Sequence, residues 1–99
     1  MRTGDAGTEL IFNIKDKDNK LVDLTNLLKA EMIYRGYKVT IVKECIVILP
    51  KTSGKVKYVV ESGDFPREYK YNTQIKLTFI DGNVFYSDNV SIIVGGVIG

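Results

Sequence analysis

Apolar and polar residues alternate along most of this 99-residue chain, and clusters of turn formers interrupt them at the roughly 8–12-residue spacing of an all-β domain. Period two sends successive side chains to opposite faces of a strand. In residues 9–15 it places Leu10, Phe12 and Ile14 on one face. Asp16-Lys17-Asp18-Asn19-Lys20 then has the composition of a turn. Residues 21–26 read as a short strand or an irregular crossover. Residues 27–35 carry both periods. Leu27 to Met32 are helix formers with Thr25 or Asn26 available as a cap. As a strand, the segment gives Leu28, Ala30, Met32 and Tyr34 one face and Lys29, Glu31 and Arg35 the other. Gly36 and the β-rich Tyr37-Lys38-Val39-Thr40-Ile41-Val42 that follow favour the strand.

Downstream, Cys45-Ile46-Val47-Ile48-Leu49 is a further β run, stopped by Pro50, which has no N–H for a ladder. Residues 55–61 point Val56, Tyr58 and Val60 inward. Residues 62–66 read as a loop. Residues 68–80 form a long strand with Tyr69, Tyr71, Ile75, Leu77 and Phe79 as core candidates, and Asn72-Thr73 as a bend or bulge. Asp81-Gly82 is the clearest hairpin signal, because Gly takes the positive φ such turns need. Residues 84–86 and 90–94 complete the pattern. It predicts an all-β, antiparallel β-sandwich of about seven or eight strands over residues 9–94. A polar, glycine-rich arm (residues 1–8) and an uncharged apolar tail (residues 95–99) flank it; both read as flexible.

The chemistry available to such a domain is narrow. The chain has no histidine, which removes Ser-His-Asp and Cys-His catalysis and imidazole metal sites. Cys45 is the only cysteine, so neither an intramolecular disulfide nor a structural zinc can form, and its apolar neighbours read as those of an inert buried thiol. A core and a large pocket would compete for the same few side chains in a chain this short. We therefore expect no catalytic residue, no cofactor and no metal ligand; paired carboxylates are the one enzymatic route left open. The residues 16–20 resemble the start of a calcium loop, yet Leu21 stands where glycine is required and Leu27 where glutamate is. Ser53-Gly54-Lys55 lacks the rest of a P-loop, and Val56 replaces its Ser or Thr. With 14 basic and 12 acidic residues interspersed, the net charge is +2. That gives no patch for nucleic acid or an anionic membrane. The N-terminal residues do not read as a signal peptide, and no apolar run is long enough for a membrane-spanning helix.

Two features point to binding. Six tyrosines could stack on sugars if exposed, which makes a carbohydrate- or ligand-binding module the alternative reading; Tyr58, Tyr69 and Tyr71 fall on inward faces, which speaks for core packing. The outward faces carry Ile11, Ile33, Val59, Ile80 and Ile93, and the tail adds Val97 and Ile98. A small monomer seldom exposes that much apolar surface, so these residues are the expected interface, filled by self-association or docking onto a larger assembly.

Residues 12–25, Phe-Asn-Ile-Lys-Asp-Lys-Asp-Asn-Lys-Leu-Val-Asp-Leu-Thr, resemble the start of the N-terminal domain of upper baseplate proteins from phages of Gram-positive bacteria. Ser53-Gly54-Lys55-Val56-Lys57-Tyr58, Tyr69, Phe79-Ile80-Asp81-Gly82-Asn83 and Tyr86-Ser87 are similar to the rest of that domain, so that the likeness spans residues 9–94. The sequence departs from the pattern at Pro66-Arg67-Glu68, where the family has a glycine. The resemblance implies an immunoglobulin-like fold. It further implies a non-enzymatic virion structural protein, assembled in the host cytoplasm, whose partners are other virion proteins or copies of itself. Baseplate, collar, head decoration and head-fibre attachment are the sites it leaves open.

Overall fold

The computed structural model describes residues 6–36, 38–66 and 69–95. Among them, seven strands form one curled antiparallel sheet with no α-helix. The strands are β1 (Glu9–Asn13), β2 (Leu27–Gly36), β3 (Val39–Val47), β4 (Lys55–Val59), β5 (Tyr69–Phe79), β6 (Val84–Tyr86) and β7 (Val90–Val94). Their order is β1-β4-β3-β2-β5-β6, and β7 pairs with the first part of β5. The alternation thus settles residues 27–35 as strand. Beta-branched Ile33, Val39 and Val42 and the cross-strand fit of β2 to both β3 and β5 outweigh the helix formers at its start.

One strand holds the two halves together. Residues 39–45 of β3 pair with β2, whereas Ile46 and Val47 pair with β4. The sheet curls because apolar side chains from both halves need a common shelter. Val56 and Tyr58 from β4, Met32 and Tyr34 from β2, and Ile75 and Leu77 from β5 all belong to one buried cluster. Ile14, Leu24 and Val94 join it from outside the central strands. A flat sheet would leave these faces in water; at roughly 25 cal/mol per Å² of apolar area, curling is the favoured arrangement.

Several local expectations change. The runs expected at 37–42 and 45–49 share one strand, Val39–Val47, because Lys43 and Glu44 continue the ladder opposite Met32 and Glu31. The irregularity expected at Asn72-Thr73 is absent, since these residues pair in register with Arg35 and Tyr34. It lies instead between Leu27 and Lys29, where the β2–β5 register shifts. That bulge turns Leu28 away from the face of Ala30, Met32 and Tyr34 and exposes it. Tyr69 has the parity of a core residue but stands at the mouth of β5, exposed and edge-on to Tyr71. Residues 7 and 8 extend the β1–β4 ladder: the Gly7 N–H donates to the Val60 carbonyl, and the Val60 N–H to that of Thr8.

The Asp81-Gly82 turn forms as expected, with Gly82 at φ 90° and the Phe79 N–H donating to the Asn83 carbonyl. Gly54 has a second reason to be glycine. Its φ is 65°, and a Cβ there would lie 2.9 Å from the Val22 carbonyl oxygen and 3.0 Å from that of Ile14. This crowding seats the crossover segment, whose Leu24 is fully buried, against the end of β4.

Candidate functional site

Among the described residues the sheet does not close on itself, and a concavity lies where it fails to close. Hydrogen-bond parity shows which backbone groups face that gap. The Val60 N–H donates to Thr8 and the Ile14 N–H donates to Gly54, so even-numbered residues of β1 face β4. In an antiparallel ladder the intervening residues point the other way. Glu9, Ile11 and Asn13 therefore direct their N–H and C=O groups off the edge of the sheet, where β1 has no neighbour among the described residues.

Parity gives the same result for β7. The Ile75 N–H donates to Ser87 Oγ at 2.8 Å and its carbonyl accepts the Ser87 N–H at 2.9 Å, so odd-numbered residues of β5 face β6 and β7. Val90, Ile92 and Val94, opposite Thr73, Tyr71 and Tyr69, are thus bonded to β5. Ser91 and Ile93 face away from it.

Between these two edges lies a groove of about 670 Å³. Its floor is the open flank of the core, made by Leu10, Phe12, Ile14, Ile75 and Ile92. Its rim carries both signs: Glu9, Asp16 and Asp88 against Lys15 and Lys17. Glu9 is also within 3.5 Å of Lys57. The sequence reading missed this groove, because alternation identifies strands and not their neighbours.

The expected interface residues divide around it. Ile11 is 55% exposed and lines the groove on β1. Ile93 is 69% exposed on β7, whose Val90 and Ile92 line the groove while Ile93 itself does not. Val59, paired with Glu9, extends the Ile11 side across β4. Ile33 and Ile80 lie elsewhere: Ile33 is half-buried between Val42 and Gln74, and Ile80 is exposed at the β5–β6 turn. Val97 and Ile98 lie outside the described residues.

The end of the sheet around residues 61–66 is built very differently. Asp64, expected in a plain loop, is 6% exposed. Its carboxylate accepts hydrogen bonds from the Tyr58 hydroxyl and the Glu61 N–H and pairs with Lys43 Nζ at 3.2 Å. Its backbone carbonyl accepts the Tyr34 hydroxyl at 2.9 Å. Phe65 stacks on Tyr34 with ring centroids 4.7 Å apart and meets Tyr71 edge-on. Burial works to raise the Asp64 pKa, but the bonds from Tyr58, Glu61 and Lys43 outweigh it and hold the carboxyl below its ordinary value. Burial, followed by the charge of Asp64, pushes the Tyr34 phenol up to about 12. Tyr58 is raised by burial first, then by its hydrogen bond to Asp64 and by the charge of that carboxylate. All three groups are held in their ordinary charge states, an arrangement for locking a loop.

The remaining polar features are spent on local structure. Asp16 Oδ1 accepts the N–H groups of Asp18 and Lys20, making the turn that resembles a calcium loop. Cys45 is buried, and burial, then Glu31 and Glu44, raises its thiol to about 12. Tyr34, Tyr58 and Tyr71 are core. Of the exposed tyrosines among the described residues, Tyr69 pairs with Val94 and Tyr86 with Lys76, at separate stations along β5, so these two make no stacking row.

No protein-family model, curated protein or solved structure matches the chain.

Proposed function

We propose that this chain is a non-enzymatic structural protein of a phage particle, an immunoglobulin-like module that joins other virion proteins or copies of itself. The observation that carries the assembly reading is the groove beside the β1 edge, with exposed Ile11 and Val90 in its lining and exposed Ile93 on the neighbouring β7. Unpaired strand edges beside accessible apolar surface invite a partner. The likeness of residues 9–94 to the baseplate domain supports the virion setting. The facing of β4 against β2 and β5 across one core supports the sandwich-like reading of the curled sheet.

Particles purified from the chain's source, probed with an antibody against it, test this reading together with sedimentation velocity of the isolated chain. Labelling of the particles at a regular position is the expected result. A chain that is absent from the particles and monomeric at every concentration overturns it.

A further inference from the structure

We propose that β1 pairs with β1 of a second copy across a two-fold axis, joining the two sheets edge to edge. This rests on the assembly reading and names the partner. The backbone groups of Glu9, Ile11 and Asn13 point off the sheet, and those of Lys15 continue the row. The Asp16 N–H donates to the Lys20 carbonyl and the Val22 N–H to that of Ile14. The Lys15–Leu21 bridge therefore uses the groups on either side of Lys15 and not its own. The concavity of about 670 Å³ is lined by every residue from Glu9 to Lys15, so this side is open to an approaching backbone.

Nothing in β1 defends that side. An edge is normally blunted by proline, a bulge or charges along its length. β1 pairs with β4 without a register shift, has no proline, and carries one charged residue, Glu9, at its start. The outer strand across the concavity is broken by residues 87–89 between β6 and β7.

The order of side chains along β1 selects a second copy as the occupant. A two-fold axis at Phe12 sets Glu9 opposite Lys15 of the second copy and Ile11 opposite Asn13 of the second copy, and symmetry repeats both pairs. This register joins odd-numbered residues to odd-numbered ones, as the free backbone groups require. Ion pairs form its two ends, and its centre is a pair of Phe12 rings that the core of each copy covers only in part. Glu9 and Lys15 are both exposed, and among the described residues Lys15 has no ion-pair partner of its own. An axis at Leu10 brings the two Glu9 side chains diagonally together, and one at Ile11 sets both charges opposite uncharged Asn13 and Gly7. Charge thus singles out Phe12.

Sedimentation velocity of the full chain is expected to show a monomer–dimer equilibrium. Lys15→Glu turns both ion pairs into like-charge pairs and is expected to weaken the dimer by roughly tenfold or more. Glu9→Lys does the same, and the double exchange Glu9→Lys/Lys15→Glu restores the dimer. Ile11→Pro removes an N–H that the β4 ladder does not use and is expected to abolish association. Unchanged amide exchange at Met32 and Leu77 shows that the variants keep the fold. In the unaltered chain, exchange at Ile11 and Asn13 is expected to slow as concentration rises.

A chain that stays monomeric at every concentration overturns the proposal. So does a dimer that the double exchange fails to restore, or one that a folded Ile11→Pro variant leaves intact. If Ile11→Pro unfolds the chain, the charge exchange decides alone. Slow exchange at Ile11 and Asn13 within purified particles, from a chain monomeric in solution, gives the edge to another protein's strand; it overturns the second copy and leaves the assembly reading standing. A dimer in solution from a chain absent from the particles keeps the pairing and removes the virion setting.

Discussion

The two flanks of this sheet use the same residue types to opposite ends. On the β2–β5 flank, Met32, Tyr34, Ile75 and Leu77 are sealed from solvent, and the 61–66 loop is fastened over them through Asp64 and Phe65. On the β1–β7 flank, Leu10, Phe12 and Ile92 are only partly covered, and among the described residues each outer strand is held by a single ladder. The difference teaches that stability and recognition are divided by position in the sheet. A central strand has both edges paired and one face buried. An edge strand keeps a row of backbone groups and part of its apolar face available.

Met32→Ala is the harshest way to probe that division. Met32 is fully buried and sits between Lys43 on β3 and Ile75 on β5. Truncation leaves a void that dense packing cannot refill, and a loss of about 2–5 kcal/mol in unfolding free energy is expected from urea denaturation. A loss under about 1 kcal/mol would show that the closed flank relaxes as readily as the open one.

Asp64→Asn comes next. It removes the charge paired with Lys43 and disturbs the bond from Tyr58, with an expected cost of about 1–3 kcal/mol at neutral pH. The wild-type carboxyl titrates below its ordinary 3.8. Its unfolded form therefore binds a proton more readily than its folded form does. The stabilisation is fully present above the unfolded pKa and is lost as the pH falls through the folded one. Urea midpoints near neutrality and at about pH 3 should consequently converge between the two proteins. A constant gap between them would remove Asp64 from the acid sensitivity of the fold.

The contrast also explains what could be read in the residues. Alternation placed Ala30, Met32, Tyr34, Val56, Tyr58, Ile75 and Leu77 inside, because a strand buried on one face has one register that works. It failed at Leu28, where a bulge depends on fitting β2 to β5, and at Asp64 and Phe65, where a polar, glycine-containing loop is drawn inward by Tyr34 and Tyr58 from distant strands. Ile11 and Ile93 were recognisable singly as outward aliphatics. Their placement on the two outer strands of one open flank was not, because it follows from the pairing of β1 with β4 and of β7 with β5. Side-chain period is local, whereas edge and neighbour are properties of the whole sheet.

The smallest expected change in stability is the one that bears most directly on recognition. Ile93→Thr keeps a β-branched side chain on β7 and alters a position that is 69% exposed. It removes no β5 ladder bond, because the Ile93 backbone faces away from β5. Its effect on unfolding is expected to stay within about 0.5 kcal/mol. Docking is where it should register. A partner packed on this face would lose an apolar neighbour, and a lost contribution of about 1.4 kcal/mol corresponds to roughly tenfold weaker association. Sedimentation velocity of Ile93→Thr, beside Ile80→Thr as an exposed aliphatic at the β5–β6 turn, separates the two positions. Weakened association at Ile93 with none at Ile80 marks the β7 face as the recognition surface. Equal behaviour would mean that the open flank is exposed without being a site, and that the contrast between the flanks concerns packing alone.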